Sequence, residues 1–336
     1  MSAGRGPAPA AEERLHEIVA NVGEGRDDGA IDRMAQRIRA VERVSLLDVH
    51  RDADHDRAVF TYCSSDDAAL VDATLALADA ALRSIDLRHP TKRGTQAGVH
   101  PRVGALDVVP VVPLAGGATL ESAAAIAAEI ARRLATEAGL PVHRYGAIAR
   151  TEERRSLPQL RRGGFDGLAA FHATAAGAPD DGPVQPHPSG GAVAVGARPI
   201  MVAWNLELVP PLRADRLETA AAHARAIAAE IRGASAGGVA GLQARGFLLV
   251  RRGCAQVSMN LHDAPAAAAR GATLHALRAQ VARAAEARGE RLGATEIVGL
   301  VPERLLAAGG DPAALEVRGG WTSASLERRL RGASAS

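Results

Sequence analysis

The chain has 336 residues, 40 of them basic and 38 acidic, so its formal net charge at neutral pH is only +2. With 2% aromatic residues and no basic tract, it lacks the features that nucleic-acid binders use, and we expect no nucleic-acid partner. Its two cysteines, Cys63 and Cys254, imply no disulfide framework, and charged residues interrupt every apolar run before membrane-spanning length. We therefore expect a cytoplasmic protein without a membrane partner.

The first half of the chain alternates predicted strands and helices. Residues 1–16 have no signal-peptide core and are expected to form a disordered lead-in. Beyond them, positions such as Ile31, Met34 and Ile38 recur at helical spacing, whereas short apolar runs bounded by turn residues predict strands. The predicted strands cover 17–21, 44–49, 58–63, the run after His100 and 142–145, and the predicted helices cover 28–40, the region after Ser65 and 119–138.

The second half repeats this order after a stretch rich in Gly, Pro, Ala and Asp at 173–191. Predicted strands cover 200–208, 242–250, 255–260 and about 296–300, and predicted helices cover 212–231 and 266–288. The pattern favours an α+β protein with two ferredoxin-like α/β sandwich subdomains side by side. The predicted boundaries are 17–181 for the first subdomain, 182–310 for the second and 311–336 for a weakly structured tail.

The segment 100–107, His-Pro-Arg-Val-Gly-Ala-Leu-Asp, stands where an apolar strand begins. Proline after His100 favours an extended backbone, and reactive side chains are common on loops at strand ends. His100 and Asp107 suit a proton-transfer pair or an orienting pair; a solvated loop histidine and a polar strand cap are the alternatives. Since no nucleophile motif accompanies them, the sequence favours general acid/base chemistry over a covalent intermediate.

The polar segment 48–57 holds four aspartates and two histidines, His50 and His55. Calcium is disfavoured, because Arg57 and Cys63 occupy the positions where a calcium loop needs glycine and glutamate. A transition-metal site at His50 and His55 matches no standard spacing. A solvated hairpin loop and a polar pocket wall are both favoured over it, so no metal is expected.

Seven blocks, taken in order, resemble the glutamate formiminotransferase family, and they extend from Glu17 to about Leu306. The His-Pro-Arg block is the most specific of them. The blocks are 19–25 (Val-Ala-Asn-Val-Gly-Glu-Gly), 46–50 with Arg57, 100–110, 182–198, 203–205 (Ala-Trp-Asn), 255–261 (Ala-Gln-Val-Ser-Met-Asn-Leu) and 297–302 (Ile-Val-Gly-Leu-Val-Pro).

The resemblance implies a homodimer with a folate tunnel between the two subdomains, tetrahydrofolate as co-substrate and no metal. The expected reaction moves the formimino group of N-formimino-L-glutamate to N5 of tetrahydrofolate in histidine degradation. Only the transferase unit is expected, without the cyclodeaminase domain of the animal proteins. An alternative is a folate-binding homologue that uses formylglutamate or lacks transferase activity; it is motivated by departures from the family pattern at Val99, Glu207 and Gly190 and by the longer 89–99 loop.

The resemblance also implies residue roles. His100 is the expected general acid/base, and Asp107, Asp48 and His50 are expected to support it. Asn21, Glu24, Arg57 and Arg102 are expected to bind substrate; the planar fork of an arginine such as Arg57 or Arg102 suits a carboxylate. The expected folate-binding segment consists of Gly182, Pro183, Val184, Gln185, Pro186, His187, Pro188, Ser189, Gly190 and Gly191, and a bare interdomain linker is the alternative for it.

Overall fold

The structure is a computed structural model that describes residues 14–88, 102–161, 163–209, 216–233, 235 and 237–333. The 89–99 loop, His100 and most of the predicted lead-in lie outside the described residues. The strands are β1 (Leu15–Val22), β2 (Ser45–Asp52), β3 (Arg57–Ser64), β4 (Leu106–Ala115), β5 (Val142–Gly146), β6 (Val193–Ala197), β7 (Val202–Leu208), β8 (Leu242–Leu249), β9 (Cys254–Leu261) and β10 (Leu292–Val298). The helices are α1 (Asp28–Arg39), α2 (Asp67–Ser84), α3 (Leu120–Glu137), α4 (Leu157–Leu160), α5 (Leu168–His172), α6 (Leu217–Ile231), α7 (Ala264–Ala269), α8 (Leu274–Glu286), α9 (Glu303–Leu306) and α10 (Leu326–Ala333).

The strands form two separate sheets. The first has the order β2-β3-β1-β4-β6-β5 and the second has the order β10-β7-β9-β8. In both, the four strands of a β-α-β-β-α-β unit pair antiparallel in the arrangement of a ferredoxin-like sandwich. The predicted fold class, α+β with two such units side by side, is confirmed.

The first sheet is larger than predicted, because β6 and β5 extend it in parallel beyond β4. Strand β6 lies within the predicted second subdomain, 182–310, yet its hydrogen bonds join it to the first sheet. The stretch 173–191 therefore does not link the two sheets but returns the chain to the first one. The change of sheet falls after Ala197 rather than at 181, a position that local composition did not reveal.

Strand alternation gives each sheet one apolar and one polar face. In β1, Ile18 and Ala20 are fully buried in the core that α1, α2 and α3 cover, and Glu17 lies on the opposite face. In β7, Trp204 is fully buried in the core beneath α6 and α8, and Asn205 lies on the opposite face. The opposite faces of the two sheets are turned toward each other, so their polar side chains lie between the sheets, while α4 and α5 pack on part of this face of the first sheet.

The predicted weakly structured tail, 311–336, is ordered where it is described. It contains two 3-10 turns, Pro312–Leu315 and Trp321–Ala324, followed by α10. Backbone bridges join it to the second sheet, and Leu326 packs on Leu47 and Cys63 of the first. Isolated apolar residues of the tail thus hold the two subdomains together. That prediction was wrong because the apolar residues are spaced too widely to form a local pattern.

Candidate active site

A cavity of about 710 Å³ lies between the two sheets. Strands β1, β3 and β4 line it from the first subdomain, β7, β8 and β9 line it from the second, and the segment 155–161 closes one side. Its polar lining consists of Glu17, Asn21, Arg57, Tyr145, Arg155, Ser156, Arg161, Arg198, Gln243, Arg245, Ser258, Asn260 and His262. The volume falls in the range of about 300–1,000 Å³ that small-molecule sites occupy.

The cavity is strongly cationic. Its lining includes five arginines, and Glu17 is its only carboxylate among the described residues. Burial, together with the neighbouring charge of Arg161, lowers the pKa of Arg57 to about 10, which leaves this guanidinium protonated at neutral pH. Several positive charges in an enclosed space favour a ligand with more than one carboxylate, which guanidinium groups can bind in a bidentate manner.

Two of the four predicted substrate-binding residues, Asn21 and Arg57, line the cavity. Glu24 instead accepts hydrogen bonds from the backbone N–H groups of Arg26 and Asp27, at 2.9 and 3.1 Å, and so closes the turn before α1. Glu24 therefore shapes the entry to a helix and is not among the residues that line the cavity.

Arg102 likewise binds backbone oxygens and is not among the residues that line the cavity. Its Nη1 donates to the Asp56 backbone oxygen and to Oδ2 of Asp56, at 2.8 and 3.0 Å, and to the Gly23 carbonyl at 3.3 Å. It fastens the chain just after His100 to the hairpin between β2 and β3. This arrangement leaves Arg57 as the better placed of the two predicted carboxylate-binding arginines.

Asp107 connects the same loop to the cavity wall. Its Oδ1 accepts a 2.8 Å hydrogen bond from the Val103 N–H, and its Oδ2 accepts a 2.5 Å bond from Nη2 of Arg161. Asp107 is buried, and Arg161 lines the cavity. A carboxylate bound to backbone on one side and to a guanidinium on the other fixes both partners. His100 lies outside the described residues, so the predicted contact between His100 and Asp107 stays a prediction.

Asp48 and His50, the other predicted supporting residues, lie on edge strand β2 and do not line the cavity. Burial raises the pKa of Asp48, although Arg329 of α10 lies 3.5 Å away. Burial lowers the pKa of His50, whose Nε2 lies 3.9 Å from Oε1 of Glu296 on β10. Both residues therefore belong to the contact between the subdomains.

A buried ionic cluster joins the two subdomains beside the cavity. Arg252 of the second subdomain lies 3.1 Å from Asp52 of the first and 3.0 and 3.1 Å from Glu296 and Glu207. Burial alone would raise the pKa of Asp52, but the hydrogen bond from His55 and the charge of Arg252 hold it below its usual value. The prediction of a solvated hairpin loop is wrong for Asp52 and His55, because both are buried. They form a subdomain junction.

Ligand atoms of His50, Asp52 and Glu296 lie within 4.8 Å of one another, and His55, the other histidine considered from the sequence, is not in this group. The guanidinium of Arg252 contacts both carboxylates, and it supplies the positive charge that a cation would bring. The cluster therefore suits an internal ion pair better than a metal centre, and the expectation of no metal stays a prediction.

The predicted folate-binding segment packs against the loop after His100 and is absent from the described cavity lining. His187 and Gly191 exchange backbone hydrogen bonds of 2.8 and 2.9 Å, and the Gly190 carbonyl accepts one from Ala105 at 2.9 Å. Gly191 has φ +70°, and a Cβ there would lie 2.0 Å from the Val103 carbonyl oxygen. Its lack of a side chain lets two backbone segments meet, rather than a backbone and a ligand.

Sequence reasoning missed most of the cavity lining: Glu17, Arg155, Arg161, Arg198, Arg245, Ser258, Asn260 and His262. A signal existed in β8 and β9, where polar residues alternate with apolar ones at Gln243, Arg245, Ser258 and Asn260. Alternation shows that these side chains share a face. It does not show that a second sheet covers that face.

Comparisons with known proteins identify the family of the chain. Residues 15–198 match the formiminotransferase domain, N-terminal subdomain, and residues 215–312 match the formiminotransferase domain. A glutamate formimidoyltransferase of Streptococcus pyogenes serotype M1 is 36% identical over 248 residues, 74% of this chain and 77% of the relative. One of Thermoplasma acidophilum is 32% identical over 295 residues, 87% of this chain and 89% of the relative.

A formimidoyltransferase-cyclodeaminase of Sus scrofa is 34% identical over 295 residues, and the match spans 51% of that longer relative. Two ferredoxin-like units that enclose an arginine-lined cavity define the structural class of the chain. Within that class, the chain belongs to the formiminotransferase family. None of the helices in the described ranges is long and apolar enough to cross a membrane.

Proposed function

We propose that this protein transfers the formimino group of N-formimino-L-glutamate to N5 of tetrahydrofolate, a step of histidine degradation. The observation that carries the proposal is the arginine-lined cavity between the subdomains, in a chain that belongs to the formiminotransferase family. Both reactants bear two glutamate carboxylates, and several guanidinium groups in one enclosed space suit such a pair. The loop that follows His100 is anchored to the same cavity through Asp107 and Arg161.

The reaction needs proton movement and no covalent enzyme intermediate. N5 of tetrahydrofolate attacks the amidine carbon, and His100 takes the proton that N5 loses. His100 then returns a proton to the glutamate nitrogen as the bond between this nitrogen and the amidine carbon breaks, which yields glutamate and formiminotetrahydrofolate. A histidine titrates near neutrality and suits both steps. Arg57 and Arg161 bind substrate carboxylates, and alignment of the two reactants supplies much of the rate acceleration.

The departures from the family pattern that can be located lie away from the cavity lining. Glu207 accepts hydrogen bonds from Arg252 and Arg318 in the subdomain junction. Gly190 lies in the turn beside Leu82 and His187, where a Cβ would approach Leu82 to 2.2 Å. Val99 lies outside the described residues. These positions support an intact transferase rather than a folate-binding homologue without activity.

A turnover assay with tetrahydrofolate and either formiminoglutamate or formylglutamate tests the proposal. We expect product from formiminoglutamate and far less from formylglutamate; the reverse preference would favour the altered-donor alternative. His100→Ala should bind tetrahydrofolate like the parent in calorimetry and lose turnover. Binding without turnover in the parent protein would favour the inactive homologue.

Homodimer formation and a cytoplasmic location belong to the same proposal. Sedimentation of the purified chain tests whether it forms a homodimer.

A further inference from the structure

One oxygen of a buried carboxyl group in the cavity lining has no hydrogen-bond partner among the described residues. Glu17 on β1 is 6% exposed, lines the cavity, and has an Oε1 that is buried without a hydrogen-bond partner among the described residues. Cys63 and Val112 are its neighbours on the adjacent strands. Burial raises its pKa to about 7, against the charge of Arg198. A buried acceptor without a donor is unfavourable, so a ligand that supplies N–H groups here gains binding free energy.

A second residue of the cavity lining, His262, also has a buried polar atom without a recorded partner. Nε2 of His262 is buried and has no hydrogen-bond partner in the part of the chain that the structure describes. Burial lowers the pKa of His262, and the charge of Arg198 lowers it further. Arg198 lines the cavity with both residues, and its backbone N–H donates to the carbonyl of Val111, which precedes Val112, the strand neighbour of Glu17; its charge influences the pKa of Glu17 and of His262. We refer to Glu17, Arg198 and His262 as the Glu17 subsite.

The Glu17 subsite lies apart from the part of the cavity that Asn21 lines. Glu17 and Asn21 share one face of β1, four residues apart, which corresponds to about 13 Å along a strand. The neighbours of Glu17 are apolar: Val112 lies beside it on β4, and Cys63, beside it on β3, packs with three other residues of the cavity lining, Leu114, Leu300 and Leu326. One ligand can therefore occupy the apolar end while another binds near Arg57 and Arg161.

Two acceptor oxygens beside a guanidinium, between apolar walls, suit a flat heterocycle with two adjacent N–H donors and a neighbouring carbonyl oxygen. The pteridine of tetrahydrofolate has such an edge, formed by its 2-amino group, N3–H and O4. Resting on the proposed function, we infer that Glu17 accepts hydrogen bonds from N3–H and the 2-amino group, while Arg198 donates to O4. The apolar walls then contact the ring faces, and N5, on the other ring, faces the middle of the cavity.

The test combines one substitution with one change of ligand. Glu17→Gln replaces one acceptor oxygen by an amide NH2 group, which can only donate. Because one acceptor is lost, tetrahydrofolate should bind this variant roughly 10- to 100-fold more weakly. The 2-desamino analogue of tetrahydrofolate should bind the parent protein with a similar loss and show little further loss on the variant, since both changes remove the same contact. The KM for formiminoglutamate should stay unchanged. Thermal unfolding checks that the variant is folded.

Glu290→Gln is the matched control, because Glu290 is equally buried but bonds to His223 away from the cavity, and it should bind tetrahydrofolate like the parent. Parent-like binding by Glu17→Gln, with turnover retained, would overturn the subsite and leave the proposed function standing. A selective rise in the KM for formiminoglutamate would also overturn it, because the carboxyl group would then serve the donor. A parent protein that neither binds nor converts tetrahydrofolate would overturn both proposals.

Discussion

Oδ2 of Asp107 accepts a 2.5 Å hydrogen bond from Arg161, and this bond joins the loop that follows His100 to the wall of the cavity. The other carboxylate oxygen holds the backbone of Val103. One buried side chain thus sets the relative position of the proposed proton-transfer loop and of an arginine that we propose binds substrate. Asp107 is therefore a positioning residue.

Asp107→Asn should lower kcat roughly 10- to 100-fold, because the neutral amide loses a charge-assisted hydrogen bond of about 1.5–3 kcal/mol. Steady-state kinetics measure the effect. If Arg161 also loses its place, the KM for formiminoglutamate should rise, whereas the binding of tetrahydrofolate changes little. Asp86→Asn, which alters an exposed ion pair with Arg88, is the control and should behave like the parent protein. A parent-like kcat for Asp107→Asn would contradict the positioning role.

Arg252→Met should destabilise the protein by roughly 2–4 kcal/mol, because the carboxylates of four residues between the subdomains then lose their shared cation; they are Asp52, Asp54, Glu207 and Glu296. Urea unfolding at neutral pH measures the change in the free energy of unfolding. Arg132→Met removes an exposed ion pair with Glu129 and should cost less than about 1 kcal/mol. Equal losses in the two variants would show that the junction contributes no more than a surface pair.

Glu17→Gln should raise stability in a manner that depends on pH. The folded protein raises the pKa of Glu17 from 4.5 to about 7, so ionisation of this group opposes folding as pH rises through that window. The amide variant avoids this penalty and should be more stable than the parent by roughly 2–4 kcal/mol at about pH 8. The difference should be smallest below pH 4.5. Denaturant titrations at several pH values measure it, and a constant difference would argue against the raised pKa.

Gly191→Ala should be strongly destabilising. Residue 191 has φ +70°, and a Cβ there would lie 2.0 Å from the carbonyl oxygen of Val103, so backbone must move. Gly271→Ala is the matched control, because its φ is +88° and no described atom lies within 4 Å of the added Cβ. The control should lose only the conformational cost of about 1–2 kcal/mol. Thermal or urea unfolding compares the two, and similar losses would contradict the close backbone packing.

Local patterns predicted the elements well and their surroundings poorly. Local periodicity predicts which side chains face a core. Ile18 and Ala20 alternate along a strand, Ile31 and Met34 have helical spacing, and all four lie in the core of the first subdomain. The glycines and prolines of segment 182–191 suit either a folate-binding segment or a bare linker. Its pairing with the 103–105 loop depends on a distant part of the chain. Composition shows that such a segment can turn, but it does not show what the segment packs against.

By itself, the sequence determined the two ferredoxin-like units, the family motifs and the His100 loop, because apolar periodicity and contiguous motifs are local properties. Only the tertiary structure decided which polar residues face the cavity, which join the subdomains and which merely hold turns. Asp107 meets Arg161 across 54 positions of the chain, and Asp52 meets Arg252 across 200. A polar side chain on a strand produces the same local pattern whether it faces water, a second sheet or a ligand. The packing of one sheet on the other makes that distinction, and it separates Glu17 from the charged residues of the surface.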